Sequence, residues 1–150
     1  MSVDSGKVSI SADYYFKNLS NQTKSALIFY PFPIDEYHYY PDSILVFGLD
    51  YTKNDSGVNF IMRFKPNAVD TLKVFYRQKL KGNQARYILT TTKQWQKPLK
   101  QAKFIIDVSE NFTNLQLSYK PDSIIRRNNR VLYYIAKKNF MPNKDLIINW

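Results

Sequence analysis

ARYILTTTKQWQKPLKQAKFIIDVS, residues 85–109, is the stretch whose reading decides the fold class. Its first run places Ala85, Tyr87 and Leu89 on one side. Its second places Ala102, Phe104, Ile106 and Val108 on one side, with Lys103, Asp107 and Ser109 opposite. A period of two is the signature of strands with one face buried and one face wet. The polar connection between the runs carries Trp95 and Pro98, so the stretch reads as a hairpin whose indole covers one end of a core and whose proline stiffens the turn.

Working outward, the same alternation recurs. Val8, Ile10, Ala12, Tyr14 and Phe16 alternate with Ser9, Ser11, Asp13, Tyr15 and Lys17, and Val58, Phe60, Met62 and Phe64 alternate with Asn59, Ile61, Arg63 and Lys65. Leu72, Val74, Tyr76 and Leu80 resume the pattern. Further strands are expected over residues 44–50, 115–119, 131–137 and 146–150. Residues 25–30 are apolar on both faces and read as a central strand that Pro31 and Pro33 end, since proline cannot donate to a ladder. Asn54-Asp55-Ser56-Gly57 reads as a hairpin turn rather than a calcium loop, because the regular acidic ligand spacing and closing Glu are missing. Residues 1–6 read as a disordered leader, and 121–130 as a polar connection. The expectation is a single domain over residues 1–150: an antiparallel β-sandwich of about ten strands, immunoglobulin-like or jelly-roll-like in topology.

Composition agrees with sheet. The chain has 12 Tyr, 10 Phe and 2 Trp but only 4 Gly, and aromatic side chains suit a pleated, half-buried surface. There is no Cys, which removes disulfides, thiolate metal sites and cysteine nucleophiles together. With 22 Lys plus Arg against 12 Asp plus Glu, the net charge of +10 favours contact with polyanions. No run approaches the ~18 apolar residues that span a bilayer as a helix.

Several features together resemble a family of exported bacterial and archaeal β-sandwich domains of unknown function. They are Tyr14-x-Phe16-x-Asn18-x-Ser20, Tyr30-Pro31-Phe32-Pro33, Tyr87-x-Leu89-x-Thr91 with Trp95 and Pro98-Leu99, and Phe140-x-Pro142 before the last strand. The resemblance implies a sandwich outside the cytoplasm or at the cell surface, and it implies no catalytic residue. A cytoplasmic location is the alternative.

His38 is the sole histidine, beside Asp35 and Glu36. A hydrolase built on these three is the remotest reading, because adjacent residues on an extended segment point apart and no Gly-x-Ser-x-Gly elbow exists. A lone His without further His or Cys ligands gives no metal site, and no cofactor is expected. The same loop is more credible as a contact surface. Tyr37, His38, Tyr39 and Tyr40 lie between Pro33 and Pro41, and rigid amphipathic rings offer contact area at low entropic cost; Trp95 is a further candidate. Polyanion contacts would fall to Lys93, Lys97, Lys100 and Lys103 or to Arg126, Arg127 and Arg130, provided the fold brings the two groups onto one face. The reading that follows is a non-catalytic binding or structural domain of the cell envelope, with another envelope protein, a polysaccharide or an anionic polymer as partner. The alternative is a basic domain that binds nucleic acid or another polyanion.

Overall fold

Val3 is fully buried, because the start of the chain lies in the middle of the larger sheet. The computed structural model describes residues 1–91 and 97–150. Among them are thirteen strands: β1 (Ser2–Asp4), β2 (Lys7–Lys17), β3 (Lys24–Pro31), β4 (Ser43–Val46), β5 (Thr52–Asn54), β6 (Gly57–Phe64), β7 (Val69–Lys79), β8 (Gln84–Tyr87), β9 (Leu99–Ser109), β10 (Gln116–Leu117), β11 (Ser123–Arg127), β12 (Arg130–Phe140) and β13 (Leu146–Asn149). They form a seven-stranded sheet, β11-β12-β9-β1-β2-β7-β4, and two three-stranded sheets, β10-β13-β8 and β3-β6-β5. All ladders are antiparallel except β1 on β9, where Ser2 and Val3 pair with Asp107 and Val108 in parallel. The architecture is an all-β sandwich, as the alternation requires.

One core serves all three sheets. Val8, Ile10, Val74, Tyr76, Ile106 and Val108 of the large sheet pack with Tyr30, Val58, Phe60 and Met62 from one small sheet and Ala85, Leu146 and Ile148 from the other. A buried aliphatic or aromatic side chain contributes about 1.5–3 kcal/mol. A one-residue slip would turn the whole set to water, so the core fixes register. Tyr30 lies edge-on to Tyr14 and Tyr76, with centroids 6.1 and 6.3 Å away, and this clamps the β3-β6-β5 sheet to β2 and β7.

Four expectations are corrected. The runs of residues 85–109 do not form a hairpin: β8 belongs to a small sheet and β9 to the large one. Alternation reports which face of a strand is buried, and both runs bury a face in the same core from different sheets. Trp95 and Lys93 lie outside the described residues. Residues 1–6 are not a disordered leader: β1 fills the space between β2 and β9, and Arg130 holds it by bonding Asp4 Oδ1, Ser2 Oγ (3.0 Å) and Asp107 Oδ1 (2.7 Å). The strand at residues 25–30 is not central. β3 is an outer strand, where Leu27, 72 % exposed, pairs with the exposed Ile61. Its doubly apolar sequence marks an apolar outer patch rather than burial on both sides.

Residues 121–130 are not a connection throughout. They contain β11 and a two-residue turn, Asn128-Asn129, with φ of 53° and 59°. Two successive left-handed residues are the type I′ geometry that Asn tolerates and hairpins favour. The Asn54–Gly57 turn forms as expected between β5 and β6. Gly57 is required there, because a Cβ would collide with the Tyr30 carbonyl oxygen and the Phe29 ring.

Candidate functional site: an aromatic and basic platform

The segment before β4 is pinned along the end of β7. Tyr39 N–H donates to Lys79 O (3.1 Å) and Lys81 N–H to Tyr37 O (2.8 Å), flanking a bridge between His38 and Leu80. This short ladder imposes strand alternation on the tyrosine loop. His38, with no exposed surface, and Tyr40 turn inward; Tyr37 and Tyr39, 37 % and 52 % exposed, turn outward. His38 is therefore a pin rather than a contact residue. Tyr40 donates to Gly57 O (2.9 Å) and packs edge-on to Phe32, with centroids 5.8 Å apart, so it too serves the interior.

The pins are polar and converge from distant parts of the chain. His38 Nδ1 lies 2.6 Å from Asp35 Oδ1, which also accepts from Tyr37 N (2.9 Å). Asp35 Oδ2 lies 3.5 Å from an Arg86 guanidinium nitrogen. Arg86 in turn donates twice to Asp145 Oδ2 (2.8 and 2.6 Å). Asp145 is buried, and its other oxygen accepts from Leu89 N (2.9 Å), Thr90 N (3.1 Å) and Thr90 Oγ1 (3.0 Å). Burial pushes both carboxyls up. For Asp35 the bonds from His38 and Tyr37 and the charges of His38 and Arg86 outweigh it; for Asp145 the Leu89, Arg86 and Thr90 donors do so. Both end below the ordinary carboxylate range and are ionised at neutral pH. Buried Gln78 adds a last pin, donating to Pro33 O (2.6 Å) and to Tyr39 O.

Outside this network lies the surface that it orients. Lys79 stands opposite Tyr39, Lys81 opposite Tyr37, and Lys7 pairs with Lys79 from β2. Val8, Gln78 and His38 point inward, so their neighbours Lys7, Lys79 and Tyr39 share the outer face. Lys81 Nζ sits 4.8 Å from the Tyr39 ring centroid and donates to Asp35 O (2.8 Å). Two exposed rings and three exposed ammonium groups thus occupy one corner of the sheet. Lys7, Lys79 and Lys81 escaped the sequence reading, because nothing in their spacing ties them to Tyr37. The one signal was the Lys79-x-Lys81 pair closing an alternating strand.

The other candidates separate. Asp35 and His38 bond to each other inside the fold while Glu36 points to solvent, so the three do not converge in one pocket. Among the described residues, no group of three His, Cys, Asp or Glu side chains could hold a metal ion. Lys97 and Lys100 lie at one end of β9 and Arg126 and Arg127 beside its other end. At ~3.3 Å per residue that is roughly 25 Å. Arg130, expected as a polyanion contact, is instead taken up by Asp4 and Asp107. No helix among the described residues is long and apolar enough to cross a membrane.

The domain is an all-β sandwich in which the polar network of Asp35, His38, Arg86 and Asp145 holds the tyrosine loop against the end of β7. Residues 50–148, about two thirds of the chain, match the model of a domain of unknown function, DUF4424, and the chain belongs to that family. The resemblance to an unknown-function domain family is thereby borne out. The match includes Lys79, Lys81, Arg86 and Asp145 and begins after the tyrosine loop. No curated protein and no solved structure matches the chain.

Proposed function

We propose that the domain is a non-catalytic binding module of the cell envelope or cell exterior, and that it recognises an anionic polysaccharide through Tyr37, Tyr39, Lys7, Lys79 and Lys81. The observation that carries this reading is the display of two tyrosine rings beside three lysines, on a loop held by its bonds to β7 and by Asp35, His38 and Tyr40. Tyrosine rings stack on the apolar faces of sugars, and ammonium groups pair with carboxylate or sulfate substituents. The net charge of +10 draws such a polymer to the surface. The location outside the cytoplasm rests on the resemblance of the sequence to exported domains.

Titration calorimetry with heparin, and with neutral dextran as a control, tests the site. Wild-type protein should bind heparin with an affinity that falls as salt rises, and Tyr37→Ala with Tyr39→Ala should weaken binding by about tenfold or more. Lys79→Gln with Lys81→Gln should flatten the salt dependence. Unchanged heparin binding by both double variants would end this assignment.

A further inference from the structure

The strand that the sequence concealed is also the most exposed. β11 is the outermost strand of the seven-stranded sheet, and every residue from Ser123 to Arg127 is exposed. Ile124 and Ile125 point to opposite faces and are 48 % and 47 % exposed, so neither face of the strand is covered. Its ladder to β12 runs unbroken from Ser123↔Tyr134 to Arg127↔Arg130, with no proline or bulge to spoil the free edge. The type I′ turn at Asn128-Asn129 holds it in place. Arg77, Arg86 and Arg130 each sit on a carboxylate, but Arg126 and Arg127 have no such partner among the described residues.

We propose that β11 is a docking edge for an extended acidic segment of a partner protein, which joins the large sheet as an added strand. An exposed edge offers a row of backbone donors and acceptors, and strand addition uses these for affinity and alternate side chains for specificity. Ile124 and Ile125 supply an apolar contact on each face, and Arg126 and Arg127 select carboxylates at the turn end. A second copy is disfavoured by charge: pairing β11 with itself would join two chains that each carry +10 and leave the guanidinium pairs at the two ends of the seam without a carboxylate. A phosphate backbone would leave the two isoleucines unused. This site lies apart from the tyrosine platform and stands without it.

The test uses a capped peptide of about eight residues alternating Glu with Val, its Lys-for-Glu analogue, and a version N-methylated at alternate residues. Backbone amide spectra and exchange rates of residues 123–127 are followed. The Glu peptide should shift and protect these amides, while the Lys and N-methylated peptides should not. Arg126→Glu with Arg127→Glu should weaken binding by about tenfold or more. Both positions are exposed, and the otherwise unchanged spectrum would show that the variant is folded. No perturbation at 123–127 overturns the proposal. So does equal binding of the N-methylated peptide, since contact would then be charge alone. Protection of these amides by self-association of the chain assigns the edge to a second copy, and heparin at the same amides with the peptide inert assigns it to a polyanion; either result overturns the proposal.

Discussion

His38 Nδ1 lies 2.6 Å from Asp35 Oδ1, with the imidazole fully buried and the carboxylate partly open to water. The pair turns His38 inward and so sends its neighbours Tyr37 and Tyr39 outward. His38→Ala should destabilise the domain by about 2–4 kcal/mol, from the lost charged hydrogen bond and the cavity left behind. Tyr37→Ala with Tyr39→Ala should cost less than ~1 kcal/mol, because half-exposed rings at a rim bury little. Urea midpoints for the two variants check the contrast. A larger loss from the tyrosines would make them core.

Asp35 and Asp145 give the domain an acid limit. Burial raises both carboxyls, but the bonds and charges around them prevail, and the folded state holds each below its ordinary value of 3.8. In that window the unfolded chain binds more protons than the folded one, so stability rises with pH there. The contribution is complete above pH 4 to 5 and is lost as pH falls through the folded values. Thermal scans from neutral pH downward should show a drop that begins near pH 4. Asp145→Asn should lower the melting temperature at neutral pH and flatten that drop.

Arg130 tests the insertion of β1. Its guanidinium joins Asp4, Ser2 and Asp107, and so ties three strands together. Arg130→Ala should destabilise by about 1–3 kcal/mol and accelerate amide exchange at residues 2–4 more than in β6. Val3→Ala, in a site with no exposed surface, should cost about 2–3 kcal/mol. Unchanged stability in both variants would mean that β1 is not part of the cooperative unit.

The buried tyrosines should keep their protons until the fold opens. Burial pushes the Tyr14, Tyr30 and Tyr76 hydroxyls well above 10, and Tyr14 also bonds both Tyr30 (3.1 Å) and Tyr87. For these groups the folded state keeps a proton that the unfolded chain releases. They therefore stabilise the fold below pH 10, and the benefit fades as pH rises beyond it. Alkaline titration followed by tyrosinate absorbance should show this core set ionising only as the domain unfolds. One smooth titration with no late phase would contradict the buried cluster.

The sequence by itself determined that this chain is a sheet protein and which face of each long strand meets the core. Val8, Ile10, Phe60, Val74, Ile106 and Val108 are buried because side chains alternate sides every residue, a rule that needs no knowledge of the partner strand. It also placed Tyr37 and Tyr39 among the candidate contacts. Only the tertiary structure decided who pairs with whom. β8 and β9 part into different sheets, β1 enters between β2 and β9, and β11 becomes a bare edge, because pairing depends on surfaces brought together from far along the chain. The Asn128-Asn129 turn was a legible local sign of β11, hidden among polar neighbours. The platform had no comparable sign. Lys7, Tyr39 and Lys79 meet because β2, β7 and the loop run side by side, and His38 faces inward because its ring finds Asp35 there.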